Sequence, residues 1–163
     1  MKALCNTSPL IFLTKIERLD FLNSYSLIIP EQVFQEISEW EKIDAESHFR
    51  LKNWIGKNRA VVKKVGFMAN LPGSLGKGEK AAISLAMNEG IKIILLDEKK
   101  ARTLAKSLGL APVGTIAIVH QQLAEKKITK AECKNLVLEL IKKGYRIKEE
   151  LLAEFLQNLE SKK

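Results

Sequence analysis

The sequence predicts an α/β domain in which a mostly parallel sheet is covered by helices on both faces. Short apolar runs alternate with helical segments along the chain, and parallel neighbours need crossover connections that are usually helical. With 163 residues the chain is long enough for one domain with its own core. Hydrophobic residues make up 46% and charged residues 28%, a globular balance that argues against a disordered or fibrous chain.

Five short runs predict the strands. Each run is apolar or rich in β-branched residues and is bounded by Gly, Pro or polar residues, which limits it to strand length. The clearest run ends at Asp97, whereas the valine-rich third run fits either a strand or an extended connector. In chain order the runs lie at residues 3–5, 27–29, 60–65, 92–96 and 111–113.

Capping residues and helical periodicity predict the helices. Ser8 is expected to cap the first helix with Pro9 in its first turn, and Thr115 to cap a later one. The segment at 8–22 fits two short helices or one bent helix. The other helices are predicted at residues 31–40, 46–55, 79–88, 98–108, 115–126, 129–144 and 149–159. We therefore predict a single domain over 1–163, with residues 129–163 as a C-terminal helical extension.

The charge balance favours a nucleic-acid partner. Lys and Arg number 27 against 19 Asp and Glu, a formal net charge of +8, and such an excess attracts phosphodiester backbones of any sequence. A solvated basic surface explains the charge equally well. Two distant cysteines and two histidines give no support to a zinc cluster or a disulfide framework. The chain shows no signal-peptide core or membrane-spanning run, so we expect a cytoplasmic protein without membrane contact.

Four side chains are candidates for one polar crevice. Asn6 and Asp97 each follow an apolar strand and precede a helix, so both are expected at the carboxyl edge of the sheet, where ligands bind. Glu79 falls within the apolar stripe of its helix and Glu36 borders the stripe of its own, with Glu41 as the alternative to Glu36 if that helix continues so far. Helix capping, turn formation or a favourable first-turn charge are the structural alternatives for these residues.

A cation explains the grouped acids. Neighbouring carboxylates raise one another's pKa unless a cation neutralises them, and Mg²⁺ or Mn²⁺ accepts carboxylate, amide and water oxygens. Such an ion activates water and stabilises charge on a phosphoryl oxygen, as phosphodiester hydrolysis requires. The residues expected to contact the nucleic acid lie beside the pocket-forming segments and are Ser8, Lys77, Lys80, Lys99, Lys100 and Arg102.

Taken in order, four segments resemble the PIN-domain family, and in particular small prokaryotic members predicted to bind nucleic acid. They are Asn-Thr-Ser-Pro-Leu-Ile at 6–11, Ile-Pro-Glu-Gln-Val with Glu-Ile at 29–37, Gly-Glu at 78–79 and Leu-Leu-Asp at 95–97. The likeness extends over residues 3–125. It implies an α/β/α sandwich, an acidic divalent-metal pocket and cleavage of single-stranded RNA, often by the toxin of a toxin–antitoxin pair.

The chain departs from the family pattern at its first acid. Asn6 stands where the family typically has Asp, and a neutral amide holds a hard cation less tightly. Glu98 is the only candidate for the family's fourth acid.

Three functions are compatible with these features of the sequence. The first is a metal-dependent ribonuclease in which Glu36, Glu79 and Asp97 hold the ion with help from Asn6. The second is a relative that binds nucleic acid without cleaving it. A phosphatase or receiver-like domain ranks last, because an amide at position 6 cannot be phosphorylated. The C-terminal apolar stripe fits a homodimer contact, an antitoxin contact or packing onto the domain.

Overall fold

A parallel sheet forms the centre of the fold in the computed structural model, which describes residues 1–161 except for the side chains of residues 58 and 59. Its strands are β1 Lys2–Cys5, β2 Ser26–Pro30, β3 Ala60–Lys63, β4 Ile93–Leu95 and β5 Ala111–Val113. They lie in the order β3-β2-β1-β4-β5, and all four pairings are parallel. The predicted α/β architecture is confirmed, and residues 60–63 form a strand rather than a connector.

The helices follow the strands as the alternation predicted. They are α1 Thr7–Lys15, α2 Glu31–Trp40, α3 Ala45–Trp54, α4 Lys77–Glu89, α5 Lys99–Ser107, α6 Thr115–Ala124, α7 Lys130–Lys142 and α8 Glu149–Ser161. Of the two alternatives for the first segment, the structure shows two pieces, α1 and a 3₁₀ turn at Leu19–Leu22. Glu17, between them, has a φ of 57°, a left-handed conformation that ends the α-helix.

Two expected helix caps are not caps. Asn6, not Ser8, occupies the N-cap position of α1, and Thr115 is already the first residue of α6. The hydroxyl groups of Ser8 and Thr115 instead donate hydrogen bonds to Asp97, at 2.9 Å and 2.7 Å. Each hydroxyl therefore donates to a distant carboxylate, whereas the capping rule assumes that it accepts from a nearby backbone N–H.

The central strands are buried on both faces. Ala3, Leu4 and Cys5 of β1 have no solvent exposure, so this strand is apolar without the alternation of a half-exposed strand. On one face Leu4 packs in a core cluster with Ile83 of α4 and Ala105 of α5. Because β1 lies between β2 and β4, the residues that follow these three strands reach the same edge of the sheet.

The chain divides into two compact units, Met1–Thr115 and Ile116–Lys163. The first contains the sheet and α1–α5. Within the second, α7 packs on α8, and the rings of His120 and Phe155 meet edge to face with centroids 6.1 Å apart. The single domain with an extension from residue 129 stays a prediction. Over the part of the chain that the structure describes, no helix has the length and apolar character needed to cross a membrane.

Candidate functional site

The structure places the predicted site residues around the carboxyl edge of the sheet. Asn6 follows β1 directly, and its backbone N–H donates to the carbonyl of Leu95 at 3.0 Å, which continues the pairing with β4. Asp97 lies just beyond β4, and Glu36 lies on α2, the helix that follows β2. All three therefore come from the three central strands and the segments that leave them.

Asp97 is held by donors from two distant segments. Its Oδ2 accepts hydrogen bonds from the hydroxyls of Ser8 and Thr115 at 2.9 Å and 2.7 Å, and its Oδ1 accepts from the backbone N–H of Thr115 at 2.7 Å. The carboxylate thereby ties the start of α1 to the start of α6. Its orientation is fixed by the chain itself.

Glu36 is held in a similar way at the start of another helix. Its Oε1 accepts from the backbone N–H of Gly78 at 3.0 Å, and its Oε2 accepts a short hydrogen bond from the hydroxyl of Thr7. A Cβ at position 78 would lie 2.7 Å and 2.8 Å from the two carboxylate oxygens. A side chain at position 78 would therefore force the flexible Glu36 side chain to move away from the Gly78 N–H.

Glu79 combines two of the predicted roles. Its Oε2 accepts the backbone N–H of Gly76, the N-cap residue, at 2.8 Å, and α4 starts two residues earlier than predicted. The side chain is also half-buried, and this burial raises the pKa of Glu79. The negative charges of Glu98 and Glu36 raise the pKa further, while the Gly76 hydrogen bond opposes the rise. The carboxylates of Glu36, Glu79 and Glu98 therefore lie close enough for their charges to interact.

Asn6 presents an oxygen without a partner. The residue is only 6% exposed, and its Oδ1 is buried without a hydrogen-bond donor among the described residues. A buried carbonyl oxygen left in this way costs about 1–3 kcal/mol. A cation or an ordered water beside Asn6 would remove that cost.

The donor set fits a hard cation by its chemistry. Carboxylate and amide oxygens suit Mg²⁺ or Mn²⁺, and both the unpartnered oxygen of Asn6 and the repulsion at Glu79 would be relieved by positive charge. Within the described part of the chain, no three His, Cys, Asp or Glu side chains form a ready ligand group. Mg²⁺ commonly keeps several waters and uses only one or two carboxylates, which matches this looser arrangement.

Arg102 borders the same space as Asp97. Its Nη1 and Oδ1 of Asp97 lie 3.6 Å and 3.2 Å from the point that a Cβ on Gly114 would occupy, so both border one small space. Its Nε is buried and has no hydrogen-bond partner among the described residues. The predicted lysines lie at the starts of α4 and α5, where Lys80 is half-buried and three are exposed: Lys77, Lys99 and Lys100.

Sequence reasoning missed three residues that shape the site. Thr7 and Gly78 hold Glu36, and the Thr115 contact with Asp97 was mistaken for a helix cap. Two adjacent hydroxyl residues directly after Asn6 were a visible signal, because one helix turn can offer donors to two acids. The close approach between Gly78 and the Glu36 carboxylate could not be predicted from the sequence, in which the glycine is the only sign of it.

Comparisons with known proteins agree with this architecture. The family model DUF3368, described as a PIN domain, matches residues 2–161. The solved structure of a PilT N-terminus domain protein from the hyperthermophilic archaeon Sulfolobus solfataricus P2 is similar, with a TM-score of 0.54 and 20% sequence identity over 76% of this chain and 94% of that chain. That likeness concerns the fold. No curated protein matches the chain.

The chain belongs to the PIN-domain family, as the match over nearly its whole length shows. Members of this family are generally nucleases and usually bind divalent metals. The predicted family and fold are thereby confirmed. The individual site residues stay predictions.

Replacing Gly78 by alanine should destabilise the protein. The new methyl group would press on both oxygens of Glu36, so this side chain should turn away and lose the hydrogen bond from the Gly78 N–H. Hydrogen bonds to charged groups contribute about 1.5–3 kcal/mol, and the better helix propensity of alanine offsets about 1 kcal/mol of that loss. Urea denaturation measures the loss. Gly73→Ala is the matched control, because position 73 has open space around it and should change stability by less than about 0.5 kcal/mol. Equal stability of the two variants would show that the approach to Glu36 is not a constraint.

Glu79 should make the metal-free protein less stable as the pH rises. Because its pKa is raised in the folded state, the folded protein binds more protons than the unfolded chain between the ordinary glutamate pKa of about 4.3 and the raised value. Stability is therefore lost across that window. Glu79→Gln keeps an acceptor for Gly76 and should flatten the loss in denaturation curves recorded with a chelator. An unchanged pH profile in the variant would contradict this account.

Proposed function

We propose that this protein is a divalent-metal-dependent ribonuclease that cleaves phosphodiester bonds of single-stranded RNA. The observation that carries the proposal is the unpartnered buried oxygen of Asn6 at the same sheet edge as the mutually repelling Glu36 and Glu79. In a PIN-domain chain, such a site is suited to a cation that contacts a phosphate. The positive net charge of +8 supplies attraction for the RNA backbone.

The ion would be held by Asn6, Glu36, Glu79 and Asp97. When bound, Mg²⁺ or Mn²⁺ activates water and stabilises negative charge on a phosphoryl oxygen. The surrounding residues of the chain orient the carboxylates that would hold the ion. Thr7 and Gly78 fix Glu36, and donors at the starts of α1 and α6 fix Asp97, so neither carboxylate needs to reorganise.

Phosphate binding is assigned to the basic side chains around this edge. Arg102 presents a partly buried guanidinium with an unpartnered Nε beside Asp97, which suits a planar contact to a phosphate. The lysines at the helix starts provide point charges for neighbouring phosphates, and they are Lys77, Lys80, Lys99 and Lys100. Ser8, the remaining residue expected to contact the nucleic acid, directs its hydroxyl at Asp97.

A binding-only protein is the second candidate, and Asn6 is the observation that favours it. An amide removes one negative charge from the set that would hold the ion, and hard cations bind neutral oxygens less tightly. Such a protein would keep the basic residues and bind RNA without cutting it. Metal affinity separates the two candidates.

The proposed cellular setting is that of a cytoplasmic toxin held by an antitoxin protein. On α8, Leu151 is 53% exposed while Leu159 is buried, so one end of the apolar stripe is accessible in the described chain. An antitoxin helix or a second copy forming a homodimer would cover such a residue.

Purified protein should cut a labelled single-stranded RNA with Mn²⁺ or Mg²⁺, and a chelator should abolish the cutting. Asp97→Asn keeps two acceptor lone pairs but loses the charge, so the rate should fall at least about 100-fold, as the loss of a group that holds a catalytic ion implies. Glu39→Gln, an exposed neutralisation on α2, is the matched control and should keep the wild-type rate. Cutting that survives the chelator would reject the proposal.

Asn6→Asp distinguishes the two candidates. The added carboxylate should tighten Mn²⁺ binding by about tenfold or more in titration calorimetry, because a charged ligand replaces a neutral one. It should also lower the melting temperature in the presence of a chelator, since it joins an already repelling group. RNA cutting by the variant with none by the natural chain would establish the binding-only function. Unchanged Mn²⁺ affinity would mean that position 6 is not a ligand.

A further inference from the structure

A second concave site begins at the opposite edge of the sheet and runs along the edge strand β3, within the Met1–Thr115 unit. It is a groove of about 510 Å³, within the range of small-ligand sites. Lys2, Ser26 and Ala60 line it, and they are the first residues of β1, β2 and β3. Since β1 rises about 3.3 Å per residue, Lys2 lies about 13 Å from Asn6 along the strand. The Lys2 end of the groove is therefore separate from Asn6, and the groove extends along edge strand β3 as far as Lys63, the last residue of that strand.

An aromatic wall and a polar rim form the groove. Trp54 is half-buried and lines it, whereas Trp40, the other tryptophan of the chain, is only 5% exposed and belongs to the core. Val61 of the edge strand β3 adds an apolar surface that is 56% exposed. Asn23 and Ser26 are polar residues of the lining. A flat ring with hydrogen-bonding edges fits this combination.

The two lysines of the groove differ in their partners. Lys63 forms an ion pair with Glu89 at 2.9 Å, so its charge is partly neutralised. Lys2 is exposed and forms no ion pair with the described residues. The groove therefore carries an uncompensated positive charge near its aromatic wall, and an anionic ligand is favoured.

We propose that this groove binds a nucleotide unit, with the base against Trp54 and the phosphate at Lys2. Aromatic side chains bind any base through its π face, and lysines bind phosphates as point charges. A protein segment is less suited, because a half-open groove with a lysine that forms no ion pair lacks the broad apolar surface of a protein interface. The unit belongs either to a free nucleotide or to an RNA strand. The proposal holds whether or not the acidic edge cleaves RNA.

The test uses the two indole N–H signals of the ¹⁵N-labelled full-length chain, which contains two tryptophans. Adenosine monophosphate is added in the presence of a chelator, and Trp54→Phe assigns the signals. We expect the Trp54 signal to move with saturation while the Trp40 signal stays in place. A hexaadenylate that binds about tenfold more tightly than the mononucleotide would identify a strand site, and equal affinity a free-nucleotide site.

Variants of the lining decide whether the groove is the place of binding. Trp54→Ala and Lys2→Glu should each weaken mononucleotide binding by about tenfold, measured by calorimetry, and Trp54→Phe should retain most of it. Lys42→Glu makes the same charge reversal at an exposed turn and should leave the affinity unchanged. The proposal would be overturned if the Trp54 signal did not move, or if Lys42→Glu weakened binding as much as Lys2→Glu. It would also be overturned if the Trp54 signal responded only to protein concentration, because that response would indicate self-association.

Discussion

Half-buried carboxylates at the end of a parallel sheet must be matched by hydrogen-bond donors, and here the donors come from the starts of helices. Thr7 and Ser8 open α1, Gly78 lies in the first turn of α4, and Thr115 opens α6. The first turn of a helix has backbone N–H groups without partners and the positive end of the helix dipole, so it is a natural place to hold an acid. The site therefore depends on the residue at which each helix begins. The order of the strands in the sheet determines which helix N-termini lie next to one another.

Much of this arrangement followed from the sequence, because periodicity and strand ends are local properties. The strand ends that place Asn6 and Asp97, and the helix face that carries Glu36, were predicted in this way. The donors could not be predicted by the same means. Ser8 looks like a cap because capping rules consider only nearby backbone, while its actual acceptor, Asp97, is 89 residues away. Edge strand β3 was ambiguous because its valines are largely exposed.

Asn6 affects both the stability of the site and its affinity for a cation. The charges of Glu36 and Glu98 already raise the pKa of Glu79, and a further acid beside them would add electrostatic repulsion when no cation is bound. The amide avoids this repulsion and lowers the attraction for a hard cation by the same electrostatic argument. Stability and function often oppose each other at such sites. The amide therefore favours a site that keeps its structure whether or not a cation is bound.

The long separation between the partners of Asp97 has a consequence for biosynthesis. Ser8 leaves the ribosome early, yet it meets Asp97 only 89 residues later, and Thr115 completes the set later still. Pairings over such distances form slowly, and nascent chains fold from the N-terminal end as they emerge. A partly translated chain therefore has no complete acidic edge. If the finished protein attacks RNA, the ribosome and message that produce it are spared until most of the polypeptide has been made.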